Sequence, residues 1–237
     1  MIWCLHGNIG LPADWDILSS ELSPFKGEVI RKVDLWRFQE CRSIGLVEFG
    51  EIFSSEVAAQ DQAPILIGYS MGARLALHAM SARPDLWKAV VLISAHPGLK
   101  DKDEQKARLV SDAEWSAKAL SKDWGGFLAE WNDQTVLGEV PDGLSDRYLL
   151  QPRAQSVARA FNAWSLGGQE DFREKVTDVM CPARLIVGEE DWKYRSLASE
   201  LQLPNASIEV IPKAKHRPLW EQPSATLDAM KRFMQEI

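Results

Sequence analysis

The sequence predicts an α/β domain: about six strands in a mostly parallel sheet, flanked by helices, with a helical insertion before the last two strands. Three observations carry this. Short apolar runs recur along the chain, each the length of a buried strand. Stretches of helical periodicity separate most of them, and strand–helix alternation implies parallel neighbours joined by right-handed crossovers. Between residues 97 and 176 the alternation stops, and the chain becomes charged, Trp-rich and helical in pattern. The core is therefore expected to comprise residues 1–96 and 177–237, with residues 97–176 forming a helical lid.

Taken in order, residues 2–5 read as the first strand, and residues 12–22 as a helix with Trp15, Leu18 and Leu22 at helical spacing. Residues 28–35 read as the second strand and 44–59 as a helix. Ala63-Pro64-Ile65-Leu66-Ile67 is a short apolar run that reads as a strand, and residues 73–82, rich in Ala, Leu and Met, read as a helix broken at Pro84. Residues 89–93 form a strongly apolar strand. Inside the insertion, Trp115, Trp124, Trp131 and Trp164 fit packing positions, and Gly125-Gly126, Pro141-Asp142-Gly143, Pro152 and Gly167-Gly168 mark turns. The sheet resumes at 183–188 and ends at 207–211, and residues 224–234 close the chain as a helix.

Composition narrows the function classes. The 237 residues are 46% apolar, enough for one large core, and the net charge of −7 argues against a nucleic-acid partner. No apolar run reaches the ~20 residues that a membrane-spanning helix needs. The opening Met1-Ile2-Trp3-Cys4-Leu5 has no basic region or cleavage site, so no signal peptide is expected. Three widely spaced cysteines, Cys4, Cys41 and Cys181, fit neither a disulfide framework nor a zinc site, which suits a reducing cytoplasm. No metal or nucleotide motif is present, so no cofactor is expected. An anionic substrate would need a local cationic patch working against the overall field.

The chemistry centres on Gly68-Tyr69-Ser70-Met71-Gly72, a G-x-S-x-G pattern between a strand and a helix. Such a turn presents a serine hydroxyl beside the free N–H groups of a helix start. Serine needs a base to act. Of the four histidines, His6, His78, His96 and His216, only His216 follows the final strand. An acid follows the 183–188 strand, where Glu189 and Glu190 compete with Asp191, which is preferred for its place relative to the strand. Ser70, Asp191 and His216 then converge on one sheet edge in the order nucleophile, acid, histidine. His6-Gly7-Asn8 follows the first strand at the same edge. It reads either as an ordinary tight turn or as an oxyanion-binding loop, with the Asn8 and Met71 amides as donors.

These motifs resemble the α/β-hydrolase fold, and within it the MenH-type enzymes of menaquinone biosynthesis, the 2-succinyl-6-hydroxy-2,4-cyclohexadiene-1-carboxylate synthases. The resemblance runs from Leu5 to Pro223. It is carried by the elbow through Arg74-Leu75-Ala76, by His96-Pro97-Gly98-Leu99 and the run through Glu104, Ala107, Arg108, Asp112 and Trp115, by Trp131, by Gly188-Glu189-Glu190-Asp191-Trp192-Lys193-Tyr194, and by His216 with Glu221-Gln222-Pro223. It implies a lyase that eliminates pyruvate from a polycarboxylate. Ser70, activated by His216, removes a ring proton, and substrate contacts fall to His6, Tyr69, Arg74, Arg108, Trp131 and Lys193.

The chain departs from the family pattern in places. The leading hairpin is missing, and the turn after the second strand, Asp34-Leu35-Trp36-Arg37-Phe38, lacks its glycines. Leu149 stands where a lid arginine is usual, with Arg147 and Arg153 nearest. Lys215 replaces a glycine and Leu219 a histidine. Two further readings stand beside the lyase: an ester or thioester hydrolase on the same triad, and a non-catalytic binding module. Arg74 and Arg108 read alternatively as surface ion pairs. The expected partner is a small anionic carboxylate, with no nucleic acid and no membrane.

Overall fold

The computed structural model describes residues 1–21, 29–121, 123–137 and 145–237. Six parallel strands form one sheet: β1 (Ile2–Leu5), β2 (Ile30–Val33), β3 (Ile65–Tyr69), β4 (Ala89–Ile93), β5 (Ala183–Gly188) and β6 (Ala206–Ile211), in the spatial order β2-β1-β3-β4-β5-β6. The order reverses direction beside β1. All pairings are parallel, so every strand delivers its C-terminal end to the same edge.

Alternation explains why the central strands are apolar at every position. Successive side chains point to opposite faces, and both faces are covered. Trp3, Leu5, Leu66, Val90 and Leu92 enter one core with Trp36, Phe49, Phe53 and Trp87. Ile2, Cys4, Ile65, Ile67, Val91 and Ile93 enter the other, with Trp15, Leu18, Leu227, Met230 and Phe233. The first face is roofed by α2 (Leu46–Ala58) and α3 (Met71–Ala82), the second by α1 (Asp16–Glu21) and the C-terminal helix (Pro223–Glu236). Phe49 and Phe53 stack at 5.4 Å between centroids and hold α2 to the sheet beneath.

Between β4 and β5 the chain forms α4 (Lys102–Ala119), α5 (Trp124–Asn132), a 3₁₀ helix at Ser145–Arg153 and α6 (Ala154–Ala163). Asp101 caps α4, its carboxylate accepting the N–H groups of Asp103 and Glu104 at 2.9 and 2.8 Å. Trp115 and Trp131 meet edge to face at 5.2 Å, and both pack on Phe161. The two ends of this segment meet: Phe172 N–H donates to Pro97 O at 2.7 Å, and Arg173 Nη1 donates to Gly98 O at 3.1 Å.

Several predicted elements are shorter than the pattern suggests. The 12–22 helix opens as a 3₁₀ turn at Pro12–Trp15 before α1, and Leu22 lies outside the described residues. The second strand covers only Ile30–Val33, because Asp34 caps a 3₁₀ helix at Leu35–Gln39 by accepting Trp36 N–H at 3.1 Å. Glu28 and the Pro141-Asp142-Gly143 turn also lie outside the described residues.

The elbow glycines are required by close approach. A Cβ on Gly72 would overlap the carbonyl oxygens of Leu5 and His6, and one on Gly68 would overlap Gly72 O. Those atoms are backbone of β1, of the turn directly after it and of α3, and cannot retreat. Gly72→Ala is therefore expected to destabilise the protein by about 3 kcal/mol. Urea unfolding checks this, and a loss under about 0.5 kcal/mol would contradict the packing described here.

Candidate active site

The β3–α3 junction places Ser70. Ser70 takes φ 51° and ψ −111°, a strained left-handed conformation held by its N–H donating to Ile93 O at 2.9 Å. Its side chain caps nothing in α3 and is left facing the sheet edge. Ser70 Oγ lies 3.0 Å from His216 Nε2, and His216 Nδ1 lies 3.0 Å from Asp191 Oδ2. With the proton on Nδ1, the imidazole donates to Asp191 and accepts from Ser70.

Two loops hold that imidazole. Ser94 Oγ donates to His216 O at 3.2 Å, and Glu221 Oε2 accepts the N–H groups of Lys215 and Arg217 on either side of it. Asp191 caps α7 (Trp192–Glu200): Oδ1 accepts Tyr194 N–H at 3.3 Å, which leaves Oδ2 for the histidine. Glu189 is committed elsewhere, accepting Lys213 N–H at 3.0 Å, and Glu190 is exposed. Tyr194 and Tyr69 both pack on the imidazole, at 4.4 and 5.9 Å between centroids.

A pocket opens onto Ser70. Gly7, Asn8, Ile9 and Gly10 form one wall; Tyr69, Trp131, Leu137 and Trp220 supply apolar surface; Asp14, Asn132, Arg147 and Arg217 supply polar groups. Asn8 and Ser70 share this lining. Met71 opens α3, so its N–H has no intrahelical acceptor.

His6 is placed behind the pocket wall. It is fully buried, Nδ1–H donates to Gly7 O at 2.9 Å and Nε2 accepts Leu35 N–H at 3.2 Å. Burial pushes its pKa down to about 4, so the ring is neutral and both nitrogens are used in shaping the loop. Trp36 Nε1 adds a bond to Gly10 O at 2.7 Å. The expected substrate contact at His6 is thus replaced by support of the loop that carries Asn8.

The arginines divide into two groups. Arg74 is buried one turn after Ser70, not at the surface, and donates to Gln169 Oε1 at 3.1 Å and Trp164 O at 2.8 Å. Both acceptors are neutral, and burial lowers its pKa to about 10. Arg108 pairs with Asp112 at 2.9 Å, and Asp112 also accepts from Ser165 Oγ at 2.7 Å. Lys193 is exposed at the start of α7. Burial, then the charges of Lys193, Arg74 and Arg108, hold His96 down to about 3. Neither Arg74, Arg108 nor Lys193 lines the Ser70 pocket.

Arg147 and Arg217 form the second group; the sequence offered Arg147, with Arg153, as nearest the usual lid-arginine position, and did not single out Arg217. Arg147 Nη2 lies 2.7 Å from Asp14 Oδ1, with both side chains buried. Arg217 Nη2 donates to Asn132 Oδ1 at 2.8 Å. Arg153, the other arginine near Leu149, instead pairs with Asp34 and Glu40. The available signal for Arg217 was its position directly after His216. Nothing local marked Asp14 or Asn132. Among the described residues, no group of three His, Cys, Asp or Glu side chains is placed to hold a metal ion.

The model of the "Alpha/beta hydrolase family" matches residues 4–229. A 2-succinyl-6-hydroxy-2,4-cyclohexadiene-1-carboxylate synthase of Pectobacterium atrosepticum is 28% identical, covering 98% of this chain and 92% of that one. The synthase of Escherichia coli O1:K1 is 30% identical, covering 71% of this chain and 67% of that one. Among solved structures, MenH from S. aureus superimposes with a TM-score of 0.84 at 16% identity, over 99% of this chain and 93% of that one. A carboxylesterase of the thaumarchaeon Nitrososphaera gargenis gives 0.74 at 14% identity, over 99% and 89%. From its six-stranded parallel sheet to its Ser70 elbow, the chain belongs to the alpha/beta hydrolase family.

Proposed function

We propose that the protein is a carbon–oxygen lyase that eliminates pyruvate from an enolpyruvyl-succinyl cyclohexene carboxylate, yielding 2-succinyl-6-hydroxy-2,4-cyclohexadiene-1-carboxylate for menaquinone biosynthesis. The observation that carries this reading is the buried guanidinium of Arg74, one helical turn after Ser70 on α3 and outside the pocket lining. Arg74 is a buried guanidinium bonded to neutral acceptors, with Arg108 and Lys193 close enough to act on the same imidazole, His96. A buried cation without a paired carboxylate is costly unless an anion completes it. Carboxylates suit guanidinium forks. The curated relatives, named for this product, support the same substrate class.

In this reading Ser70 and His216 work as a base. The Ser70 hydroxyl passes its proton to His216 Nε2 and takes a proton from the substrate ring. The C–H electron pair becomes a ring double bond, the C–O bond breaks, and the leaving group departs as the pyruvate enolate, which is protonated at carbon. Asp191 stabilises the imidazolium. The amides of Asn8 and Met71 face the developing negative oxygen. The segment bearing α4 to α6 serves as the lid, and Trp131 on α5, with Tyr69 at the end of β3, supplies apolar contacts to the ring. No cofactor takes part. Three unpaired cysteines suit a cytoplasmic setting, and no described helix is long and apolar enough to cross a membrane.

The test supplies the enolpyruvyl substrate and, separately, a neutral aryl ester. Pyruvate release from the first supports the lyase. Turnover of the ester alone assigns the same triad to hydrolysis and ends the lyase reading. Arg74→Ala, with a melting curve confirming its fold, is expected to lower kcat/KM for the anionic substrate by about 10²-fold. A loss under threefold would remove Arg74 from substrate binding.

A further inference from the structure

Among the described residues, positive φ at non-glycine positions is confined to one edge of the sheet. Ile9, Ser70, Ser94 and Lys213 have it, and each follows the C-terminal end of a strand by four residues or fewer. Ile9 belongs to the loop that carries Asn8, Ser70 to the triad, and Lys213 to the loop that carries His216. Ser94 takes no part in the chemistry described above, yet it shares their edge and their strain.

Ser94 follows β4 as Ser70 follows β3. Tyr69 and Ile93, the last residues of those strands, are partners in the sheet, so the two serines stand level on neighbouring strands, with φ 51° and 50°. Glycine takes positive φ freely, whereas serine is held there against its own preference. What serine adds over glycine is a hydroxyl. Ser94 is buried, and that hydroxyl donates to His216 O at 3.2 Å.

The hydrogen bonds around the triad fall into two halves. Ser70 N–H donates to Ile93 O at 2.9 Å, which ties the Ser70 turn to β4. The histidine and acid loops are tied to each other: Glu190 N–H donates to Ala214 O at 2.8 Å, and Lys213 N–H to Glu189 Oε2 at 3.0 Å. Glu221 grips the His216 backbone from only four and six residues along the chain. These bonds set His216 against Asp191 but not against Ser70. Tyr69 lies on the imidazole at 5.9 Å between centroids, a contact without the directionality of a hydrogen bond. Ser94 joins the halves. Its N–H donates to Ile186 O on β5 at 2.9 Å, and the preceding residue supplies the carbonyl that Ser70 N–H meets. Its hydroxyl reaches a carbonyl 122 positions away in the chain.

We propose that Ser94 is a positioning residue for the triad: its hydroxyl sets the distance between the Ser70 hydroxyl and the His216 imidazole. The strained serine is retained because glycine would fit the turn and lose that bond. Ser94 itself touches neither substrate nor reacting atoms. A proton passes from Oγ to Nε2 only over a short, aligned contact, and a misplacement of about 1 Å costs on the order of 10²-fold. The role is the same whether the triad serves elimination or ester hydrolysis.

The test reads Ser70 and the imidazole–carboxylate pair separately, in the full chain. A fluorophosphonate reagent reports the first: Ser70 Oγ bonds to phosphorus, fluoride leaves, and His216 takes the hydroxyl proton. Ser70→Ala is the unlabelled control. The downfield proton NMR resonance of His216 Nδ1–H, held by Asp191, reports the second. Ser94→Gly removes the hydroxyl and the strain together. It is expected to keep that resonance and to bind the reagent within about twofold of wild type, while the labelling step slows at least about tenfold. Ser94→Ala removes the hydroxyl and keeps the strain. It is expected to match the glycine variant in rate, and it carries the test if that variant does not fold. A labelling rate within twofold of wild type in either folded variant overturns the proposal. So does loss of the Nδ1–H resonance together with the rate, which would make Ser94 a support of the whole histidine loop and not of its contact with Ser70. A wild-type Ser70 that the reagent does not label overturns it as well, because no working hydroxyl–imidazole contact would exist for Ser94 to set.

Discussion

Ser70→Ala is expected to reduce turnover by roughly 10³-fold or more while the fold survives. Both halves follow from the same geometry. Ser70 Oγ makes one described bond, to His216 Nε2 at 3.0 Å, and caps nothing in α3. Its removal changes stability by less than about 1 kcal/mol. In the proposed reaction the hydroxyl is nevertheless the group that exchanges a proton with the substrate, and neither His216 nor Asp191 can replace it from its own position. His216 is fixed through Ser94 and Glu221, and Asp191 through Tyr194 N–H, so a vacant Cβ at residue 70 is not filled by a neighbour. Single-turnover pyruvate release, paired with a melting curve, checks the prediction. Retention of more than a tenth of the wild-type rate would remove the serine from the chemistry. It would also revive the reading of the chain as a binding module, for which this change should be silent.

The second large effect is acid lability. Three histidines are held neutral by burial: His6 falls to about 4, and His78 and His96 to about 3. His6 Nε2 and His96 Nδ1 each accept a backbone N–H, from Leu35 and Gly98, so protonation destroys a buried bond as well as stranding a charge. His78 packs edge to face on Phe172 at 4.6 Å, and its Nε2 has no hydrogen-bond partner.

The sign follows from proton binding. In the unfolded chain these rings take up protons near 6.5; in the folded protein they do so only near 3 to 4. The unfolded state binds more protons below about pH 6.5, so their stabilisation is complete above that value and is lost as pH falls toward 4. Each ring removes up to about 1.4 kcal/mol per pH unit. Together they approach the roughly 5–15 kcal/mol that holds a typical domain. Asp14 and Glu221, whose carboxyls are raised by burial, lean the other way and offset part of the loss. Urea unfolding from pH 7 to pH 4 should show stability falling steeply below about pH 6, and His78→Leu should flatten the slope by about a third. A stability that stays level from pH 7 to pH 5 would contradict the neutral, buried state of these rings.

The sequence alone determined the sheet and the three strand-end residues of the triad. Residues 89–93 and 183–188 were read at their observed limits, because a strand buried on both faces writes its burial into every position. The elbow was equally legible. A tight turn with glycines at both ends records its own crowding, and chain order alone carries Ser70, Asp191 and His216 to one edge of a parallel sheet. The shortened β2 was not legible, since Asp34 favours a helical cap that competes with an otherwise strand-like run. The choice among Glu189, Glu190 and Asp191 was likewise completed by hydrogen bonds, not by spacing.

Only the tertiary structure decided what surrounds the triad. Helical spacing put Arg74 on the Ser70 side of α3, but the direction of its guanidinium depends on Trp164 and Gln169, about ninety residues away in the chain. Arg147 meets Asp14, and Arg217 meets Asn132, across separations of comparable length. Periodicity and propensity report on neighbours within a few turns, whereas a charged side chain is oriented by whichever partner the fold brings to it. The reactive groups sit at strand ends, where topology places them. The arginines around them, Arg74 on α3, Arg147 on the inserted segment and Arg217 on a loop, take directions set by long-range pairing.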